Sequence, residues 1–429
     1  MINFKKFLLV SVSSCLLISN SLAHDVESDK FAVESDLKVK LKGYAHFQAG
    51  LRNQDKLTKD EKKVSNNKEN FAFYSQTAFY ADVSNEVNGI TYGGKIVLVP
   101  TAKRKASNDY SGSHIYIESN FGRVELGSPV IPSSAMMVDG AYDSMATFND
   151  WTNYANTKAS YIKQTSSVNP SFATSGDFFL DDKLVGDEPI RSIVYYTPKF
   201  NLAETTKVQV GISYAPDSSN RGNDSLGNSN KVNMDDITIG TNIDKISINR
   251  NVKDIIAGGV SLEQNISDGI DLKLAATGEF GKSAGKVIKT MSAANIAPIE
   301  SKLSDLRTYN IGALLNVGNL SYGVSYGSLG KSLTTAEFHK TGRNTDYITS
   351  AIAYKQGPFG ASIGYFKSNQ YKNTVDAVSI GTQYQLAPGL KPYAEISGFS
   401  LKGRPEFNPE LPKKKTRGTV ALIGAKLSL

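Results

Sequence analysis

The sequence predicts an all-β protein: a transmembrane, antiparallel, up-and-down β-barrel of 16 strands. Three observations carry this prediction. Apolar and polar residues alternate along most of the chain, as they do in strands with two unlike faces. The links between these segments are alternately long and short, which is typical of barrels that cross a membrane. Beyond the N-terminus, no apolar run approaches the roughly 18 residues that a membrane-spanning helix needs.

The composition excludes several other classes of protein. The chain has 429 residues and a net charge of +7, from 48 Lys and Arg against 41 Asp and Glu. Its 21 Tyr and 19 Phe argue against disorder, and its single Cys excludes a disulfide framework. We predict no cofactor, no metal site and no catalytic residue, because no zinc, nucleotide or nucleophile motif stands in a suitable context. Nucleic acid is not a predicted partner.

The first 23 residues have the pattern of a cleaved signal peptide. Lys5 and Lys6 precede a mostly apolar stretch from Phe7 to Ile18, and Ser21-Leu22-Ala23 offers small residues for a peptidase. The apolar stretch is too short to span a bilayer. We therefore predict a signal peptide at 1–23, followed by an exported barrel at 24–429.

Residues 37–52 are the clearest strand. Their odd positions carry mainly apolar side chains and their even positions long polar ones, beginning with Lys38, Lys40 and Lys42. A strand of this length can cross a membrane at a tilt, with its apolar face toward the membrane and its cationic face toward water. Similar segments recur, which gives 16 in all. The other 15 are predicted at 70–83, 89–99, 113–119, 121–128, 190–198, 206–215, 252–263, 269–280, 306–316, 319–329, 344–356, 359–367, 374–386, 391–401 and 417–429.

The links separate into two groups by length. The longer ones are 53–69, 100–112, 129–189, 216–251, 281–305, 330–343, 368–373 and 402–416. Tight turns fall between them, such as Val317-Gly318 and Gly357-Pro358. A soluble sandwich has no reason to segregate its loops in this way. The alternation continues to Leu429, so we expect the last strand to pair with the first and leave no edge.

Three short motifs resemble the general porins of Gram-negative outer membranes, which are trimeric barrels of 16 strands. They are Leu41-Lys42-Gly43-Tyr44, the run Phe121 to Gly127 (FGRVELG), and Arg191 to Pro198 (RSIVYYTP). The resemblance implies a water-filled channel for small hydrophilic solutes and ions, an outer-membrane location, contact with membrane lipid and lipopolysaccharide, and a homotrimer. It also implies that the third loop, here 129–189, folds into the barrel and narrows it.

That loop is acidic, whereas the predicted inward wall is basic. A basic wall facing an acidic loop creates a transverse field, which grades ions by sign. The candidate constriction combines two loop carboxylates with five wall residues: Asp139 and Asp143 on the loop, and Lys42, Lys95, His114, Arg123 and Arg191 on the wall.

Two other functions remain open from the sequence. A barrel of this kind could serve mainly as a surface adhesin or display scaffold, which its long polar loops would suit. A secreted β-rich binding module or hydrolase is the third possibility; the segregated loop lengths argue against it.

Overall fold

A computed structural model shows the architecture of the chain from Leu37 to Leu429. It describes residues 37–55, 69–99, 110–141, 150–155, 190–218, 235–239, 244–249, 251–290, 299–336, 344–370, 373–403 and 414–429. The predicted signal peptide and Asp143 lie outside the described residues. No helix among the described residues is long and apolar enough to cross a membrane.

Sixteen antiparallel strand positions close into a single barrel, which confirms the predicted fold class. Consecutive strands pair around the ring, and the last strand returns to pair with the first over 11 residue pairs, from Tyr44↔Ser428 to Gln54↔Gly418. Two short strands, Ser192–Tyr196 and Phe200–Ala203, share one position, because both pair with the strand Thr206–Asp217. The barrel strands are β1 (Lys38–Gln54), β2 (Phe71–Val87), β3 (Ile90–Leu98), β4 (Tyr110–Ser119), β5 (Gly122–Gly127), β6 (Ser192–Tyr196), β7 (Phe200–Ala203), β8 (Thr206–Asp217), β11 (Val252–Ser267), β12 (Ile270–Ser283), β15 (Leu306–Val317), β16 (Leu320–Gly330), β17 (Thr345–Gln356), β18 (Phe359–Gln370), β19 (Asn373–Tyr384), β20 (Leu390–Gly403) and β21 (Lys414–Ser428).

The two faces of β1 have the orientation that its alternation predicts. Leu41 is 75% exposed on the outer face, whereas His46 and Gln48 are buried on the inner one. Similar apolar side chains cover the outside of the other strands, including Ile380, Ile396 and Ile423. The outside is therefore suited to hydrocarbon, and the polar residues point into the barrel.

Turn chemistry sets the two rims of the barrel. Between β2 and β3, Asn88 and Gly89 have φ of 53° and 77°, as a two-residue type I′ hairpin requires. Other tight turns on this side use Gly269, Gly318 and Gly357, all with positive φ. We call this the short-turn rim, and the opposite side the long-loop rim.

The structure corrects two of the predicted long loops, 216–251 and 281–305. They contain β9 (Asp235–Ile239), β10 (Asp244–Asn249), β13 (Lys286–Thr290) and β14 (Ile299–Lys302). These form a second, four-stranded sheet in the order β14-β13-β10-β9. The hairpin β11–β12 separates the two loops in the chain, so both emerge side by side at the long-loop rim and can pair. Each strand has only four to six residues, which makes it hard to recognise within a polar stretch.

Candidate functional site

The chain turns into the barrel directly after β5. Residues 128–141 follow the inner wall, with hydrogen bonds to several strands in succession. Tyr196 on β6 donates its hydroxyl to the Val130 carbonyl at 3.2 Å, and Ser133 donates to Glu279 on β12 at 2.7 Å. We call residues 128–141 and 150–155 together the inward segment.

A single helical turn, α1 (Pro132–Ala135), begins this segment. Pro132 suits the first position of a helix, because its ring fixes φ and its missing N–H would have no partner there. The Met136 amide closes the turn by donating to the Pro132 carbonyl at 3.0 Å. The turn packs on β8, β11 and β12 and directs the chain along the wall.

The second described part of the inward segment, η1 (Asp150–Asn153) with Tyr154 and Ala155, packs against the far side of the interior. Trp151 is fully buried and stacks on Phe399 of β20, with ring centroids 4.8 Å apart and planes 16° apart. Together with Tyr154 and Ala155 it joins a buried apolar cluster that includes Leu401 and Leu422. This side of the interior is consequently filled by packed side chains.

Polar contacts fix the same segment to β1. Gln48 donates its amide to the Asp150 carboxylate, and Tyr154 donates its hydroxyl to Gln48 Oε1 at 3.2 Å. The His46 ring nitrogen Nε2 lies 3.9 Å from Asp150 Oδ2. Burial raises the pKa of Asp150 from 3.8 to about 6, although Lys426 and the Gln48 hydrogen bond oppose the shift. The carboxylate is therefore held in a place that favours its neutral form.

The inner face of β1 to β5 is different, because charged residues line it. In the register, Lys40 is opposite Asp82, Asp82 is opposite Lys95, and Lys95 is opposite His114. Directly opposite residues of neighbouring strands share a face, so these four form a row around the interior. Lys42 lies one row away, opposite Tyr80, and the Lys95 ammonium lies 5.7 Å from the Tyr80 ring centroid.

Arg123 is the centre of a second group on the same wall. Its Nε donates to Glu125 at 2.7 Å and its Nη1 to Glu118 at 2.9 Å. The guanidinium also lies 3.8 Å from the ring centroid of Tyr116, whose hydroxyl donates to Asp82 at 2.8 Å. Arg123 is thus largely neutralised by its partners. We call the following set the charged wall: Lys40, Lys42, Asp82, Lys95, His114, Glu118, Arg123 and Glu125.

Comparison with known proteins fits this geometry. A family model described as "Gram-negative porin" matches residues 17–403 of the chain. The chain belongs to the Gram-negative porin family. As a porin, it is a protein of the outer membrane.

Several relatives and solved structures resemble this porin. It is 41% identical over 445 residues to an uncharacterized protein of Rickettsia bellii, with 99% of both chains covered. It is also 41% identical to one of Rickettsia felis, covering 98% of this chain and 99% of the other. An anion-selective porin from Comamonas acidovorans matches with a TM-score of 0.53 and 14% identity, over 92% of this chain and 100% of that one. OmpT, an outer membrane protein of Vibrio cholerae, matches with a TM-score of 0.50 and 12% identity, over 92% of this chain and 98% of that one. At these identities, the two structures show the fold alone.

The structure places four of the predicted constriction residues of this porin together. Lys42, Lys95, His114 and Arg123 occupy inward positions on β1, β3, β4 and β5.

The other predicted residues lie elsewhere. Asp139 is buried against β17, where its carboxylate accepts hydrogen bonds from Thr349 at 2.7 Å and from the Ala141 amide at 3.0 Å. Arg191 directly precedes β6. Its position has the opposite parity to Ser192 and Val194, which are buried and point inward. Asp143 falls outside the described residues. That these three residues line a constriction stays a prediction.

The sequence reasoning missed the carboxylates of the charged wall. Asp82, Glu118 and Glu125 share the inward face with the predicted cations. Strand alternation would have identified Glu118 and Glu125, because each has the same parity as the predicted wall residue on its own strand, His114 or Arg123. Asp82 is opposite Lys95 in the register and therefore shares its face. Among the described residues, no group of three or more His, Cys, Asp or Glu is arranged to hold a metal ion.

Proposed function

We propose that this porin forms a water-filled channel through which small hydrophilic solutes and ions diffuse passively. The observation that carries the proposal is the unequal lining of the interior. The inward segment packs against the walls from β6 to β17 and again on β1 and β20, and this narrows the barrel. The charged wall lies on β1 to β5, where it can meet water and passing ions.

The charges of this wall favour a mild preference for anions. Within the part of the chain that the structure describes, Lys42 and Lys95 form no ion pair with a carboxylate, whereas Arg123 forms two. Ammonium groups without a salt-bridge partner leave a positive potential in a confined aqueous space, which raises the local concentration of anions. The Comamonas acidovorans porin, which has a similar fold, is described as anion-selective.

The setting of the channel completes the proposal. Residues 1–23 direct export as a signal peptide, and the apolar outer face meets membrane lipid and lipopolysaccharide. The assembly is a homotrimer, by analogy with the general porins. Passive diffusion requires no covalent chemistry, so the protein is a channel and not an enzyme.

Single-channel recording tests the proposal. The refolded mature chain is placed in a planar bilayer under a KCl gradient, after its fold is verified by circular dichroism. Large, discrete conductance steps are expected, with a reversal potential on the anion side. A folded protein that gives no steps would rule out a diffusion channel.

Charge reversal locates the selectivity. The double variant Lys42→Glu, Lys95→Glu is expected to move the reversal potential toward cations, because four units of charge change inside the barrel. The matched control, Lys302→Glu, changes an exposed lysine of the second sheet and should leave the reversal potential unchanged. If control and double variant shift equally, the charged wall does not set the selectivity.

One observation favours a second candidate function, surface display or adhesion. The four-stranded sheet β14-β13-β10-β9 adds ordered structure beyond the barrel, which diffusion does not need. A folded but silent barrel would support this alternative.

A further inference from the structure

The inner wall has glycine at four of the places where residues 128–141 pass over it. The strands β8, β11, β15 and β16 contribute one each: Gly211, Gly259, Gly312 and Gly323. A Cβ added at any of them would meet the inward segment. We call these four residues the glycine seam.

Two members of the seam contact the backbone of the inward segment. A Cβ on Gly312 would overlap the Val138 carbonyl, and a Cβ on Gly323 would overlap the Gly140 carbonyl. Conversely, a Cβ on Gly140 would overlap the backbone of Val324. Wall and segment therefore touch backbone to backbone, with no space for any side chain between them.

Backbone conformation does not explain these glycines. None of the four has positive φ, so an L-residue could adopt the same strand geometry. Glycine inside a strand is otherwise unfavourable, because it restricts a flexible residue and packs nothing, and it often marks a close backbone approach. Gly94 on β3 and Gly398 on β20 show the contrast: a Cβ would meet nothing nearer than 3.7 Å at the first and nothing within 4 Å at the second.

We propose that Gly312 and Gly323 are positioning residues. They allow the inward segment to lie in direct backbone contact with the wall, and so they set the width of the passage that remains open in the channel. The inference rests on the proposed diffusion function, since the width matters only if the barrel conducts. A methyl group at either position needs about 3.5–4.0 Å to its neighbours. Because the barrel wall is held by hydrogen bonds on both sides, the segment must yield, and it moves away from the wall into the lumen.

The test compares Gly312→Ala and Gly323→Ala with Gly94→Ala and Gly398→Ala in the refolded mature chain. Conductance through the seam variants is expected to fall by roughly a fifth or more, because the passage narrows. The controls should conduct like the wild type. Seam variants that fold and conduct like the controls would overturn the proposal.

Hydrogen exchange gives a second reading that does not depend on conduction. The Met136 amide, bonded to the Pro132 carbonyl at 3.0 Å, is expected to exchange faster in the seam variants and not in the controls. If the wild type proves silent in bilayers, the diffusion proposal fails, but this measurement still decides whether the glycines seat the segment.

Gly259→Ala extends the series if a seam variant does not assemble. Its added carbon would meet side chains rather than backbone, namely the Thr277 methyl at 3.0 Å and Met136 at 3.2 Å, and side chains can adjust where backbone cannot. This variant should fold and show a smaller fall in conductance than Gly312→Ala. An equal or larger fall in Gly259→Ala would contradict the backbone-contact argument.

Discussion

Replacing Asp150 by Asn should strengthen the attachment of the inward segment at neutral pH. The pKa of Asp150 is raised from 3.8 to about 6 by burial, so its proton is held more tightly in the docked segment than in a free one. Docking is then favoured fully below pH 3.8, and this advantage is lost as the pH rises through about 6. Asn accepts the Gln48 hydrogen bond without a charge, so the variant should keep the advantage at every pH.

The shift sets the size of the effect. A rise from 3.8 to about 6 is 2.2 pKa units (6 − 3.8), which at ~1.36 kcal/mol per unit corresponds to a docking free energy of about 3 kcal/mol. Other charged or titratable groups also face the carboxylate. They are His46 on β1, Tyr74 on β2, Tyr393 and Glu395 on β20, Lys426 on β21 and Tyr154 on the segment itself.

The chain carries a built-in reporter, since Trp151 is its single tryptophan and is fully buried beside Asp150. Undocking moves this indole into water and shifts its emission to longer wavelength. Denaturant titrations of that shift at pH 7.5 and pH 4.5 give the docking free energy of each variant. Relative to Asp150→Asn, the wild type should dock more tightly at pH 4.5 than at pH 7.5. The comparison between the two proteins isolates Asp150, because neighbouring groups such as His46 titrate in both.

A control separates this effect from a general loss of negative charge. Asp82→Asn removes a carboxylate of the charged wall and should leave the wild-type pH dependence of Trp151 emission intact. The reasoning is refuted if Asp150→Asn docks no more tightly than the wild type at pH 7.5, or if both keep the same pH dependence.

Three further outcomes are expected. Trp151→Ala should weaken docking of the inward segment by about 3–5 kcal/mol, because it empties a site where the indole is fully buried and stacked on Phe399. Hydrogen exchange at the Tyr154 amide measures this loss, and Trp151→Phe should show a smaller one. Arg123→Met should destabilise the barrel by about 1–3 kcal/mol in urea, because buried Glu125 loses its charged donor; an unchanged midpoint would mean that water replaces that donor. Gly89→Ala should lower the urea stability by about 1–2 kcal/mol, because φ is +77° there, and Gly398→Ala, in open space, should not.

The barrel could be predicted from the sequence because its signals are local. Alternation decides which face of β1 meets lipid, and Asn88-Gly89 marks a hairpin without reference to the rest of the chain. The same parity put Lys42, Lys95 and His114 on one wall, which the register of β1 to β4 reproduces.

What the sequence could not provide depends on distant partners. Asp139 and Asp150 are two of several acids in one loop, and nothing local indicates that the first binds Thr349 on β17 or that the second binds Gln48 on β1. The second sheet joins short segments from two loops, so its strands exist only when both are present. The seam glycines likewise have a reason only once the inward segment lies on them.

The pairing of β21 with β1 has a consequence for the order in which the barrel can form. All other neighbours are consecutive barrel strands, whereas Tyr44 meets Ser428, 384 positions further along (428 − 44). Contacts between near neighbours form first, and so remote a pairing is the slowest to be found. Until it forms, β1 and β21 are open edges with unpaired N–H and C=O groups, able to add a strand from another chain. The nearly complete barrel is thus still prone to aggregation, and changes that delay closure should reduce yield more than they reduce the stability of the finished protein.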